Sequence, residues 1–221
     1  MSQEPSTQDP KELISGRSLR SMNFAFRTAL VIAAGLALGV LTLFGQAILP
    51  GSWNHFANSG AMWLLCAFLV GAGMPSYRWA SAAGVVVLVC ALIGYSLAAG
   101  AMGFAYPLFY VVFWGVVSVV GGPVFGSAGH AWRAGIFRAR VIGLSLLGAV
   151  FAAEGWYTIT YNQDLLAGSL FMIIGLLLAV FLAGHYNARE RLYTILLMLP
   201  LTGLGMGVFV LIARLADINI L

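Results

Sequence analysis

The sequence predicts an all-α fold, a polytopic transmembrane bundle of about seven helices with a cytoplasmic N-terminus. Two observations support this prediction. Apolar residues make up 61% of the chain and charged residues only 8%, whereas charged residues make up roughly a quarter of a soluble domain. The lysines and arginines also fall in short patches separated by pairs of long apolar runs, as they do when successive loops alternate between the two sides of a membrane. The surroundings of this chain are therefore lipid.

Seven apolar segments are long enough to cross a hydrocarbon core about 30 Å thick, which requires about 20 helical residues. They cover residues 28–49, 57–74, 79–97, 107–128, 141–160, 166–184 and 192–213. The second segment is the weakest, because its strongly apolar part is only Ala61–Met74. It spans the membrane only if the uncharged stretch Phe56–Gly60 is included. Without it, Arg78 would lie outside and the alternation of charge would be lost.

The positive charges predict the orientation of the bundle. Ten of the eleven lysine and arginine residues lie in four patches: Lys11/Arg17/Arg20/Arg27, Arg78, Arg133/Arg138/Arg140 and Arg189/Arg191. The intervening loops 50–60, 98–106 and 157–165 contain neither residue type. Since positively charged loops stay in the cytoplasm, the N-terminus is predicted inside and the C-terminus outside. Only Arg214 falls on the outer side.

We expect two regions, a flexible cytoplasmic tail over residues 1–22 and a transmembrane helical domain over residues 23–221. The tail contains Pro5, Pro10 and many polar residues, which bury too little apolar surface to fold alone. The cytoplasmic arginines account for the net charge of +4 and suit anionic lipid headgroups. The predicted partners are the lipid bilayer, another membrane protein or a second copy of the chain, and a small-molecule ligand. Nucleic acid is not among them.

The chain contains no recognisable catalytic or metal-binding motif. Cys66 and Cys90 lie in apolar runs without CxxC spacing, which is typical of small buried residues. His55 is predicted outside, whereas His130 and His185 are predicted inside, so the three cannot meet at one metal. The sequence also lacks an HExxH motif and a phosphate-binding glycine loop. We therefore predict no cofactor, no metal and no enzymatic activity.

Small residues recur at intervals of four positions, a spacing that lets helices approach closely in lipid. They are Gly35/Gly39 and Ala29/Ala33/Ala37 on the first segment and Gly203/Gly207 on the last. We interpret them first as packing seams inside the bundle. The alternative is a docking face for a partner membrane protein.

A kink or break is predicted in the fourth segment, where Gly121, Gly122 and Pro123 open a glycine-rich run that ends at Gly129. Proline lacks a backbone N–H and clashes with the preceding turn of a helix. Two outcomes are open. One is a kink that packs closely against a neighbouring helix, and the other is an unwound stretch that holds a substrate or ion, as in transporters.

Glu154 is the acidic residue predicted to lie inside the hydrocarbon region, about 20 Å from the cytoplasmic start of its helix at 1.5 Å per residue. A carboxylate at that depth faces the interior of the bundle, pairs with another group or takes up a proton. Two interpretations are open. Glu154 either hydrogen-bonds a neighbouring helix near the outer interface, beside Trp156 and Tyr157, or belongs to a functional site.

Five more side chains are expected near the same level, counted inward from the outer ends of their helices: Thr42, Gln46, Tyr95, Tyr110 and Trp114. Together with Glu154 they predict an outward-opening pocket with polar groups on apolar walls, as small-molecule sites have. The outer loop from Trp53 to Asn58 is expected to cover it. Each aromatic residue alone is also typical of an interfacial anchor.

Three stretches resemble a family of small multi-pass bacterial membrane proteins described as a domain of unknown function. They are Trp63–Leu69, Gly121–Gly126 running on to Trp132-Arg133, and Leu147-Gly148 followed by Ala153-Glu154-Gly155. The resemblance implies a protein of the bacterial inner membrane and draws attention to Gly122, Pro123 and Glu154. More loosely, the size, the alanine-rich first helix and the outer pocket are similar to substrate-binding subunits of energy-coupling-factor vitamin transporters.

Two functions follow from these patterns. The first is a small-molecule binding or transport subunit with an outward-facing pocket near Glu154. The second is a structural or regulatory membrane protein that acts through helix partners or lipids and has no ligand site.

Overall fold

The computed structural model describes residues 10–104, 108–183 and 187–218, which form eight α-helices and their connections. They are α1 (Pro10–Ile48), α2 (Ser52–Ala57), α3 (Gly60–Ala72), α4 (Tyr77–Ala101), α5 (Leu108–Ala134), α6 (Phe137–Tyr161), α7 (Leu165–Ala183) and α8 (Ala188–Ile218). Seven spans are long and apolar enough to cross a membrane, with α2 and α3 together forming the second. The predicted all-α bundle is confirmed, and the protein is a multi-pass membrane protein. Its orientation stays a prediction.

The first helix begins earlier than expected. α1 starts at Pro10, inside the segment 1–22 that the sequence predicted to be a flexible tail. Proline is well tolerated in the first turn of a helix, because the N–H that it lacks has no intrahelical partner there. The membrane-spanning part of α1 runs from Phe24 to Ile48. Residues 1–9 lie outside the described residues.

One end of the bundle, which we call the arginine end, holds the loops that carry the predicted cytoplasmic arginines. Arg140, in the first turn of α6, donates two hydrogen bonds to Glu190 in the first turn of α8, with Nη2–Oε1 at 2.6 Å and Nε–Oε2 at 3.3 Å. The side chain of Glu190 is only 3% exposed. A paired arginine–carboxylate contact of this kind fixes geometry better than a single hydrogen bond. It joins α6 to α8 at this end.

The opposite end holds the loops 49–51, 102–104 and 162–164. Here Nε2 of His55 in α2 lies 3.6 Å from Oδ2 of Asp164, just before α7. Asp164 caps α7 by accepting a hydrogen bond from the backbone N–H of Ala167 at 2.9 Å. That hydrogen bond, another from Ser52 and the nearby His55 lower the pKa of Asp164 below its ordinary value. α2 is therefore attached to the start of α7.

Glycines bring α3, α4 and α5 into close contact. A methyl group added at Gly126 of α5 would overlap the carbonyl oxygen of Ala80 in α4, and one added at Gly129 would overlap that of Phe68 in α3. Helix backbones approach this closely only where small residues face each other. The glycine-rich run of α5 is thus a packing seam between three helices.

Of the two outcomes expected at Gly121, Gly122 and Pro123, the unwound stretch is wrong, because α5 runs without interruption from Leu108 to Ala134 with Pro123 inside it. A kink at Pro123 stays a prediction. Proline removes only one backbone donor from the helix. Gly122, next to Pro123, is buried against Val85 of α4, so α4 supports the helix beside the missing hydrogen bond. Tertiary packing therefore outweighs the local preference for a break.

The small-residue stripes divide into two kinds. Gly35 and Gly39 face α4, where an added methyl group would overlap the carbonyl oxygens of Val87 and Ala91 respectively. The internal seam predicted for the other small residues is wrong, because all are exposed: Ala29, Ala33, Ala37, Gly203 and Gly207. α1 packs on α4 through its glycine face, which turns the alanine stripe outward. Gly203 and Gly207 have no neighbour within 4 Å of an added methyl group.

Replacing Gly126 by Ala should lower the free energy of unfolding by about 1–3 kcal/mol, since the extra methyl group forces α4 and α5 apart. Unfolding in a mixed-micelle titration with a denaturing detergent measures this change. The control is Gly203→Ala on the outward face of α8, which should stay within about 1 kcal/mol of the parent protein. Equal losses in the two variants would contradict the packing seam.

Candidate ligand pocket and the buried Glu154

The second membrane span is broken into two helices. α2 ends at Ala57 and α3 begins at Gly60, with 13 residues in α3. At 1.5 Å per residue α3 is about 20 Å long, against a hydrocarbon core of about 30 Å. The first backbone N–H groups of any helix lack intrahelical partners, and in lipid each unsatisfied group costs several kcal/mol. The start of α3 therefore needs acceptors from elsewhere in the chain.

Glu154 and Ser59 supply these acceptors. Oε2 of Glu154 accepts hydrogen bonds from the backbone N–H of Ala61 at 2.7 Å and from the hydroxyl of Ser59 at 3.0 Å. The backbone N–H of Gly60 also donates to the carboxylate. Ser59 is the N-cap of α3, and its Oγ accepts from the backbone N–H of Met62 at 3.1 Å. Together these contacts form what we call the Glu154 cap.

The cap surrounds Glu154 with hydrogen-bond donors. Glu154 is only 7% exposed, and each hydrogen bond described above is donated to its carboxyl group. The N-terminus of α3 also carries the positive end of the helix dipole. No lysine or arginine pairs with Glu154 among the described side chains. These contacts match the interpretation that Glu154 hydrogen-bonds a neighbouring helix.

Five of the six side chains expected at the site lie around one pocket of about 300 Å³. The lining residues are Thr42, Gln46, Asn58, Ser59, Trp63, Tyr95, Tyr110 and Trp114. They come from α1, α3, α4, α5 and the break before α3. Contrary to expectation, Glu154 is not on the wall of the pocket. It lies behind Ser59, which it contacts, because α6 packs on the far side of α3.

Hydrogen bonds hold the polar wall of this pocket in place. The hydroxyl of Tyr95 donates to Oε1 of Gln46 at 2.9 Å, and Nε2 of Gln46 donates to Oδ1 of Asn58 at 2.9 Å. On the buried side, Nε1 of Trp63 donates to Oγ1 of Thr42 at 3.0 Å. The lining therefore offers hydroxyl and amide groups on aromatic walls, with no charged side chain among them. Such a surface suits an uncharged ligand that both donates and accepts hydrogen bonds.

The segment expected to cover the pocket is arranged differently. Most of the stretch from Trp53 to Asn58 forms α2, in which Phe56 stacks on Phe171 of α7 with ring centroids 4.4 Å apart. Only Asn58 reaches the pocket, so a covering loop is not what the structure shows.

Ser59 before an apolar run is a typical N-cap signal. That signal was the one available indication of a helix start inside the second span.

The described residues contain no cluster of three His, Cys, Asp or Glu side chains able to hold a metal. His55 lies at the opposite end from His130, which faces the carbonyl oxygen of Met74 at 2.9 Å near the arginine end. His185 lies outside the described residues. Cys66 and Cys90 are free thiols.

The fold and the pocket define a multi-pass α-helical membrane protein with a polar cavity near one end. Residues 19–215 match the family of unknown function DUF6518, and the chain belongs to this family. No curated protein and no solved structure matches the chain significantly. The family agrees with the resemblance found in the sequence. The looser similarity to substrate-binding subunits of energy-coupling-factor vitamin transporters stays a prediction.

Replacing Glu154 by Gln should lower the free energy of unfolding by about 1–3 kcal/mol, because an NH2 donor replaces one of the two acceptor oxygens, and the remaining oxygen must accept from Ser59, Gly60 and Ala61 alone. Thermal unfolding in detergent micelles, followed by circular dichroism, measures the loss. The matched control is Thr158→Val, a buried site one turn further along α6 that takes no part in the cap. The account fails if Glu154→Gln is no more damaging than this control.

Proposed function

We propose that the protein is a binding subunit of a membrane transport system, which captures an uncharged small molecule in the polar pocket. The observation that carries the proposal is the meeting of polar side chains from separate helices around one cavity of about 300 Å³. That volume lies at the lower end of the range for small-molecule sites. Packing alone does not require Gln46, Asn58 and Tyr95 to be hydrogen-bonded to one another at a cavity wall.

The chemistry of the wall supports an uncharged ligand. Amide and hydroxyl groups of Gln46, Asn58 and Tyr95 provide donors and acceptors in fixed positions. The indole rings of Trp63 and Trp114, with centroids 5.6 Å apart, provide flat apolar surfaces beside them. Aromatic faces next to hydrogen-bonding edges suit sugars, planar rings and short polar headgroups.

Under the predicted orientation this pocket opens to the outside of the cell. It lies toward the end opposite the arginines, and the positive-inside bias predicts that this end is on the outer side of the bacterial inner membrane. The sequence contains no nucleotide-binding motif. Under this proposal the chain performs capture and takes no catalytic step. Energy for movement across the membrane comes from a separate subunit or an ion gradient.

Binding is tested by a thermal-shift screen of the purified protein against vitamins, amino acids, sugars and lipids, followed by titration of any compound that stabilises it. Tyr95→Phe removes one hydroxyl from the wall and should weaken binding about tenfold, equivalent to about 1.4 kcal/mol. The control Tyr161→Phe changes an exposed tyrosine near the same end of the bundle and should leave binding unchanged. A hit that binds both variants equally well would place its site elsewhere.

A second candidate function is a structural or regulatory role through a partner in the membrane. The observation that favours it is the outward orientation of Ala29, Ala33 and Ala37, a small-residue face that no helix in the described part of the chain covers.

Pairing through this face is tested by oxidative crosslinking in membranes, with Cys66 and Cys90 first replaced by Ala. Under the second function, Ala33→Cys should give crosslinked dimers of the chain or an adduct with a partner. The control Val112→Cys, on an exposed position of α5, should give neither. Failure of both variants to crosslink would argue against a partner at this face.

A further inference from the structure

A second cavity adjoins the polar pocket. It is an apolar groove of about 300 Å³ between α3, α5, α6 and α8. Residues that border it include Val117, Phe125, Leu201, Leu204 and Val208. Ser118 has the one hydroxyl among the residues that line it. That hydroxyl donates to the carbonyl oxygen of Trp114, one turn earlier in α5, at 2.7 Å. The groove therefore presents hydrocarbon surface.

The groove is open toward the lipid. α5 and α8 border it from two sides but do not pack extensively against each other in the described part of the chain. Leu204 is 69% exposed and Val208 is 56% exposed, so the α8 side of the groove faces the membrane. From Leu201 to Ile212 the groove follows α8 for roughly 16 Å at 1.5 Å per residue. A hydrocarbon chain in the bilayer has lateral access to it.

The groove and the polar pocket share a boundary. Trp63 and Trp114 line both cavities. The indole N–H of Trp63 is bound to Thr42 on the pocket side, which leaves its ring facing apolar neighbours. Gly60 borders the groove and the preceding Ser59 borders the pocket. The two indoles therefore form the common boundary of the pocket and the groove, and a molecule that occupies both cavities has to pass beside them.

We propose that the ligand is a neutral polar lipid, with a hydroxyl- or amide-bearing head in the pocket and a hydrocarbon tail in the groove. This inference rests on the proposed binding function and names its ligand class. No charged side chain lines either cavity. An anionic phosphate head would lose its hydration there and meet no cation. A neutral head avoids this penalty.

The two cavities contribute differently to binding in a bilayer. Moving a hydrocarbon tail from lipid into an apolar groove gains little hydrophobic free energy, because both surroundings are apolar. Selection therefore depends on hydrogen bonds between the head and the pocket. The groove provides the route of entry from the bilayer, so ligands that dissolve in the lipid reach the pocket in preference to a water-soluble head alone.

The experiment measures binding of 1,2-dioctanoylglycerol to the full-length protein in phosphatidylcholine nanodiscs by native mass spectrometry. Glycerol serves as the head alone, and 1,2-dioctanoyl phosphatidic acid serves as the charged counterpart. Leu204→Trp fills the groove, whereas the control Leu199→Trp places the same ring on an exposed position of α8 that does not border it. Val208→Trp fills the groove from the next turn, should Leu204→Trp not fold.

Dioctanoylglycerol should bind the parent protein and Leu199→Trp equally. It should bind the groove-filling variant at least tenfold more weakly. Phosphatidic acid and glycerol should not compete with dioctanoylglycerol for the parent protein. The inference is overturned if dioctanoylglycerol does not bind, if phosphatidic acid binds as well, or if filling the groove has no effect. An uncharged water-soluble compound that is sensitive to Tyr95→Phe and insensitive to Leu204→Trp would retain the binding function and reject the lipid. Absence of any ligand sensitive to Tyr95→Phe would reject both.

Discussion

A helix that begins inside a membrane needs acceptors for the N–H groups of its first turn, and in this protein one buried carboxylate provides most of them. Glu154 on α6 accepts from the start of α3, where hydrocarbon surroundings make each unsatisfied donor costly by several kcal/mol. The break between α2 and α3 depends on this contact. The break in turn places two polar residues, Asn58 and Ser59, at the pocket wall. An uninterrupted apolar helix would present apolar side chains there instead.

The glycine seams determine how closely the remaining walls meet. α1 and α4 approach through Gly35 and Gly39, and α4 and α5 approach through Gly84 and Gly126. With backbones this close, side chains from α1, α3, α4 and α5 reach the same cavity and hydrogen-bond across it. In the described part of the chain α8 has no comparable seam with α5, so a gap open to the lipid persists between them. The distribution of small residues thus accounts for the difference between the polar pocket, which lies among closely packed helices, and the adjoining apolar groove, which is open to the lipid.

The sequence predicts the spans because hydropathy and charge can be followed along the chain without knowing which helices are neighbours. Counting depth from the loops was enough to expect Gln46, Tyr95 and Trp114 near one level, since antiparallel helices place residues equally far from their outer ends at similar depth. The sequence offered a hydrogen bond from Glu154 to a neighbouring helix as one interpretation, but it did not identify α3 as that helix, because no pattern tells which helix lies beside α6. The choice between a kink and an unwound stretch at Pro123 was left open for the same reason. Local preference is visible in the sequence, whereas the glycine contacts that override it depend on which helices are neighbours.

The most direct test of the central claim is amide hydrogen exchange at Gly60, Ala61 and Met62 in the unmodified protein, reconstituted in nanodiscs and followed by NMR. If Glu154 and Ser59 satisfy these donors, the three amides exchange as slowly as those in the middle of α3, although they lie at the start of a helix. Exchange as fast as that of Gly51 in the neighbouring loop would show that the first turn is uncapped and open to water, and would contradict the account.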